Sequence, residues 1–284
     1  VDRCAEWKKI VMTPFDSESF VQIITSEFRD DLALALRLAD AADEITTARF
    51  GAMDLHVEQK PDHTPVTDAD RATEARIREI LSSERPTDVV YGEELGKVES
   101  NGRRWILDPI DGTKNFVRGV PVWGTLIGLE VDGELVVGVV SAPMLRSRWF
   151  AALGGGSWKS FDGEAPQRLH VSHVSELRDA SISFSSFTGW RDAGIRGRVI
   201  ELTDAVWRVR GFGDFWQYML LAEGAIDIAA EPELDLYDMG ALVRIVLEAG
   251  GSFTSRAGIP GPWGGNAVAS NGLLHKDALE YLGE

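Results

Sequence analysis

Apolar residues recur at helical spacing over residues 30–50, at Leu32, Leu36, Leu38, Ala39, Ala42 and Ile45. This predicts an amphipathic helix stopped at Gly51. Ala69, Ala72, Ile77, Ile80 and Leu81 predict a second helix over 68–81. The period then shortens. Residues 89–91 and 105–107 are apolar runs of strand length, each leading into acidic residues. Residues 125–131 and 134–141 flank Asp132-Gly133 and predict a hairpin. A further strand over 148–152 runs into Gly154-Gly155-Gly156, which reads as a hairpin turn because no helix pattern and no Lys-Ser/Thr follow it. The second half predicts strands at 180–185, 207–210, 226–230, 252–254 and 267–270. Its helices are predicted at 195–205, 215–223, 238–249 and 275–282. Helices interleaved with strands, plus hairpins, imply a layered mixed α/β fold rather than a fully parallel sheet.

Residues 1–28 stand apart. They hold Cys4 and Trp7, show no clear period, and are set aside as an N-terminal extension, with 29–284 read as one domain. The net charge of −16 repels phosphate backbones and anionic lipid, which argues against nucleic-acid and membrane-surface roles. It also repels a phosphorylated substrate unless metal ions sit between. A single cysteine excludes an internal disulfide framework and a Cys-rich zinc site. No apolar run reaches the ~18 residues of a membrane span. Residues 1–24 lack the basic start and apolar stretch of a signal peptide, so the expectation is a soluble cytoplasmic protein.

The chemistry lies where acids meet Gly, Pro and Thr. Clusters occur at Val66-Thr67-Asp68-Ala69-Asp70, at Gly92-Glu93-Glu94 and at Asp108-Pro109-Ile110-Asp111-Gly112-Thr113, and Asp238 opens a predicted helix downstream. The strand 105–107 would deliver Asp108 at its C-terminal end, Pro109 forces a turn, and Asp111 can bend to the same point. Two such carboxylates repel unless a cation sits between them. Oxygen-only ligation selects a hard ion, Mg²⁺ or Mn²⁺. His56, His63, His170, His173 and His275 show no metal-ligand spacing, which disfavours zinc. No G-x-S-x-G and no Cys-His pair offers a covalent nucleophile.

The run Trp105-Ile106-Leu107-Asp108-Pro109-Ile110-Asp111-Gly112-Thr113-Lys114-Asn115-Phe116 resembles the signature of the inositol monophosphatase superfamily of magnesium-dependent phosphomonoesterases. Pro65 to Asp70, Gly92-Glu93-Glu94, Glu231, Tyr237-Asp238 and Glu248-Ala249-Gly250-Gly251 extend the resemblance in order. It implies a single αβαβα sandwich. It implies two or three Mg²⁺ ions, replaceable by Mn²⁺, with Glu93, Asp108, the Ile110 carbonyl and Asp111 at the first, and Asp108, Asp111 and Asp238 at the second. Asp70 and Glu94 would support a weaker third site. Thr113, with Glu93 or Asp70, would orient the attacking water, and the Gly112 and Thr113 amides would take phosphate oxygens. By the same analogy the protein is a homodimer.

Substrate contacts are implied at Arg210, Asp214, Glu231 and Asp238. Asp214 occupies a position that is usually small in inositol phosphatases. Two added carboxylates, Asp214 and Glu231, suit a substrate carrying ammonium or imidazole groups better than a neutral polyol. The segment from Lys114 to Trp123, with Gly213-Asp214-Phe215, is similar to the superfamily branch that acts on L-histidinol phosphate. The expectation is therefore a small phosphorylated substrate of that kind, with an inositol-1-phosphate or other polyol monophosphatase as the alternative.

Overall fold

A computed structural model describes residues 20–22, 24–61, 64–98 and 102–284 of the chain. Cys4, Trp7 and His63 lie outside the described residues. Helix α1 (Arg29–Arg49) leads to a small hairpin of β1 (Val57–Gln59) and β2 (Pro65–Thr67), then to α2 (Asp68–Glu84), β3 (Val89–Gly92) and β4 (Arg103–Asp111). Helix α3 (Thr113–Arg118) precedes the meander β5 (Gly124–Val131), β6 (Glu134–Ala142), β7 (Ser147–Ala152), β8 (Gly156–Phe161) and β9 (Gln167–Arg168). The second half runs β10 (Ser181–Ser183), α4 (Phe187–Asp192), α5 (Arg196–Ala205), β11 (Arg208–Arg210), α6 (Asp214–Ala222) and β12 (Ile228–Glu231). It closes with α7 (Leu236–Met239), α8 (Leu242–Glu248), β13 (Ser252–Thr254), β14 (Ala267–Ser270) and α9 (His275–Leu282).

Strands β3 to β9 form a seven-stranded sheet in sequence order, antiparallel except for the parallel β3–β4 pair. A five-stranded sheet has the order β11-β10-β12-β14-β13. Side chains alternate across each sheet, and this alternation builds the layers. On β4, Trp105 and Leu107 pack with Leu32 and Leu36 of α1 and Ile77 and Leu81 of α2. Ile106 faces the other way, into a cluster with Phe215 of α6, Leu242 of α8 and Ala229, Ala267 and Ala269 of the smaller sheet. The far side of that sheet sends Ile228, Ala230 and Val268 against Val199 and Leu202 of α5 and Leu282 of α9. The order is helix, sheet, helix, sheet, helix: the expected αβαβα sandwich. Of the segment set aside at the N-terminus, Val21 and Ile24 are buried against the first helical layer.

Two elements differ from the sequence expectation in ways that matter for the site. Strand β4 does not end at Leu107; it continues to Asp111 with a register shift against β5 between Asp108 and Asp111. Asp108 therefore sits within the strand, and Pro109 falls where the shift removes the need for its missing N–H. The helix expected over 238–249 is two helices, α7 and α8, joined at Gly240-Ala241. That junction lies flush on the large sheet. A Cβ on Gly240 would sit 2.7 Å from Ile106 Cγ2, and one on Gly138 would sit 2.2 Å from the Ala241 carbonyl oxygen. Asp238 is consequently not the opening residue of a long helix. It is the third residue of α7, where it completes a capping box with Asp235.

Candidate active site

Each acidic turn is fixed locally before it contributes to the cleft. Thr67 caps α2, its Oγ1 accepting from the amides of Ala69 at 3.1 Å and Asp70 at 3.4 Å. Asp70 Oδ2 answers by accepting from the Thr67 amide at 2.8 Å and the Thr67 hydroxyl at 2.5 Å. This leaves Asp70 Oδ1 to face Thr113 Oγ1, 3.5 Å away. Thr113 opens α3 and donates to the Ile110 carbonyl at 2.9 Å. Gly112 before it has φ +83, and a Cβ there would meet the Val122 carbonyl at 3.1 Å, so glycine is strongly favoured.

Glu93, Asp108, Ile110, Asp111, Gly112, Thr113, Asp214 and Asp238 line one cleft of about 680 Å³. Asp108, Asp111 and Asp238 each bring a carboxylate oxygen within 4.8 Å of the others. Asp111 Oδ2 accepts from the Phe215 amide at 2.5 Å, and Asp238 Oδ2 from the Asp235 amide at 2.7 Å. Asp108 Oδ1 is buried with no hydrogen-bond partner among the described residues. Burial raises the pKa of Asp108 well above the carboxylate range, and the charges of Glu93, Asp111 and Asp238 raise it further. Burial likewise lifts Asp111, with Asp214 and Asp238 adding to it. Burial and Glu93 push Asp238 up to about 7, against the pull of the Asp235 amide. A cluster of anionic oxygens with one buried oxygen left unpaired fits a hard divalent cation, and among the described residues no His or Cys joins it.

Sequence reasoning quoted Lys114, which lines this cleft, but missed two other cations there, Lys60 and Lys97. Lys60, between β1 and β2, donates to Glu93 Oε1 at 2.6 Å and Glu94 Oε1 at 2.5 Å. Lys97 stands over the Tyr237 ring at 4.8 Å and within 3.7 Å of Asp235 Oδ1. Burial pushes Glu94 up to about 7, with Lys60 opposing it.

Not every candidate reaches the cleft. Asp214 does. It is the first residue of α6, held at φ +47, with its Oδ2 accepting from the Asn115 side-chain Nδ2 at 3.1 Å. It makes no side-chain cap, since Gly213 is the N-cap residue. Glu231 is buried behind the wall. Its Oε1 accepts from the Ser185 amide and hydroxyl, both at 2.6 Å, and from Gln217 at 2.8 Å, and burial raises its pKa to about 7. Arg210 is not brought to the cleft. It ends the edge strand β11, is exposed, and donates to the Val209 carbonyl at 2.6 Å.

The raised carboxylates carry a stability consequence. An acid with a higher pKa folded than unfolded binds protons more tightly in the native state, so stability falls as pH rises between the two values. For Asp238 the window runs from 3.8 to about 7. In excess chelator, the melting temperature should drop between about pH 5.5 and pH 8, and divalent ion should restore it at the upper end. Differential scanning fluorimetry measures this; a chelated protein that gains stability over that range would contradict the clustered-carboxylate account.

Comparison with known proteins agrees with this geometry. Residues 29–283 match the sequence model of the inositol monophosphatase family. A protein of Mycobacterium tuberculosis named histidinol-phosphatase is 60% identical over 254 residues, 89% of this chain and 98% of its own length. A Streptomyces coelicolor protein of the same name is 54% identical over 262 residues, 91% of this chain and 98% of its own. The solved structure of an inositol monophosphatase from Zymomonas mobilis superimposes with a TM-score of 0.79 at 34% identity, covering 91% of this chain and 99% of that one. Identity of this extent, along nearly the whole of each relative, makes the chain a member of the inositol monophosphatase family.

Proposed function

We propose that this phosphoric monoester hydrolase converts L-histidinol phosphate and water to L-histidinol and inorganic phosphate, with Mg²⁺ as its metal. The observation that carries the substrate choice is the Asp214 carboxylate in the wall of the cleft that gathers Asp108, Asp111 and Asp238. An ammonium or imidazolium on the leaving group gives that carboxylate a charged partner, whereas a polyol does not. The two relatives named histidinol-phosphatase support the same reading.

Asp108, Asp111 and Asp238, with Glu93 and the Ile110 carbonyl, would hold the metal. Divalent ions held there would supply charge neutralisation for the phosphoryl group and would ease the deprotonation of water. The chain's own groups do the orienting. Thr113 Oγ1 donates its proton to the Ile110 carbonyl, so its lone pairs are left to accept a hydrogen from the attacking water. Asp70 Oδ1 lies beside that hydroxyl, and burial raises the Asp70 carboxyl to about 6, within range to accept a proton near neutrality. The Gly112 and Thr113 amides would take phosphoryl oxygens. Assembly as a homodimer and a cytoplasmic location complete the proposal by family analogy; no described helix is long and apolar enough to cross a membrane.

Phosphate release at saturating Mg²⁺ tests the substrate. Histidinol phosphate should exceed inositol 1-phosphate and a nucleotide 3′-phosphate in kcat/KM by at least ~10-fold, the value of one charge-assisted hydrogen bond. Equal or higher efficiency on inositol 1-phosphate would overturn it.

A further inference from the structure

The turn that presents Glu93 to the cleft is fastened from behind by a side chain that touches neither the cleft nor a substrate. Glu74 lies on the buried face of α2 and is fully buried. Its Oε2 accepts from the Glu94 amide at 2.7 Å, and its Oε1 accepts from the Leu95 amide at 3.1 Å and from Arg78 Nε at 2.7 Å. Arg78, one helical turn on, donates its Nη2 to the Gly96 carbonyl at 2.6 Å. The fit is close enough to dictate the residue before Glu93. A Cβ on Gly92 would lie 1.9 Å from Glu74 Oε1, so Gly92 must be glycine for the carboxylate to reach the amides.

Burying a carboxylate among backbone amides is expensive unless the hydrogen bonds are complete, and here both oxygens are engaged. Residues 93–95 form a bend outside any strand, so Glu74 holds amides that no ladder satisfies. Two successive amides bound to one carboxylate fix the direction in which the Glu93 side chain leaves the backbone. We propose that Glu74 is the positioning residue for Glu93: it sets the affinity of the site for its divalent ion by pre-ordering the turn, without itself touching metal or substrate. The proposal rests on the reading of Glu93 as a metal ligand.

The test is Mn²⁺ binding to the metal-free protein, followed by the loss of the free-ion EPR signal, in the wild type, Glu93→Gln and Glu74→Gln. Glu74→Gln keeps the volume but turns an NH₂ group toward a backbone donor. It should weaken Mn²⁺ binding ~10–100-fold, as loss of an outer partner of a ligand does. At saturating Mg²⁺ its kcat should return close to the wild-type value, because Glu74 contacts no reacting atom. A merely structural residue would lower the folded fraction and leave the affinity of the folded protein unchanged. Unchanged Mn²⁺ affinity in Glu74→Gln beside weakened binding in Glu93→Gln overturns the proposal alone. Unchanged affinity in Glu93→Gln overturns the ligand reading beneath it. Should Glu74→Gln fail to fold, hydrogen exchange of the wild-type protein decides. The Glu94 and Leu95 amides should be protected without metal, and rapid exchange of both would refute the role of Glu74.

Discussion

Asp108→Asn should lose at least ~1,000-fold in phosphate release while the metal-free protein stays folded, a barrier increase of ~4 kcal/mol. The reason lies in what surrounds the side chain. Asp108 is buried in β4, with one oxygen that no described residue satisfies, and Asp111 and Asp238 stand close by. An amide there removes a charge that a divalent ion needs. In the absence of the ion it also relieves repulsion, so the melting temperature in chelator should hold or rise. Asp111→Asn should behave alike in turnover. Its amide oxygen can still accept from the Phe215 amide that Asp111 Oδ2 now binds, so α6 keeps its anchor. Phosphate release and thermal unfolding in chelator, measured on the same preparations, check both halves. Retention of more than ~10% of activity by either variant would remove these residues from the metal site, since loss of an activating ion costs several kcal/mol.

Asp214→Asn should divide the substrates rather than the rate. A carboxylate facing an ammonium or imidazolium contributes ~1.5–3 kcal/mol, and its loss should lower kcat/KM for histidinol phosphate roughly 10–100-fold. Inositol 1-phosphate hydrolysis should be unchanged or slightly improved. Asparagine is the informative replacement because residue 214 sits at φ +47, where Asn is tolerated and alanine is strained. Asp214→Ala should therefore add a loss of stability to the same change in preference. Steady-state kinetics on both substrates at saturating Mg²⁺ separate this from an altered metal affinity. Equal losses on both substrates would mean that the link from Asn115 to Asp214 serves the helix start alone.

Much of this was legible in the sequence because the chemistry is locally encoded. The segment from Asp108 to Thr113, the end of β4 and the start of α3, carries its acids, its proline and its left-handed glycine within six residues, and Thr67 and Asp70 build a capping box from one helical turn. The Gly154 to Gly156 stretch is the hairpin turn its composition implies, joining β7 to β8; Glu248 accepts from the Gly154 and Gly156 amides, both at 2.8 Å. What escaped was set by distant partners. Lys60 lies in a segment without usable periodicity, and its partners are Glu93 and Glu94, 33 and 34 residues away. The break between α7 and α8 follows from contact with Ile106, Gly128 and Gly138 on the facing sheet, which no local pattern announces. The family resemblance implied Arg210 as a substrate contact, yet strand pairing puts it on the edge of the smaller sheet. Glu74 could have been found. It shares the buried face of α2 with Asp70, Ile77 and Leu81, and an acid on an apolar helix face requires a specific partner.

The central claim is that phosphate ester hydrolysis runs on a divalent ion held by Asp108, Asp111 and Asp238. Anomalous scattering from crystals of the protein grown with Mn²⁺ and the two products, histidinol and inorganic phosphate, tests it most directly. The account predicts manganese density in contact with all three carboxylates and the histidinol amine or imidazole against Asp214. Manganese bound elsewhere, with these carboxylates left unliganded, would contradict it.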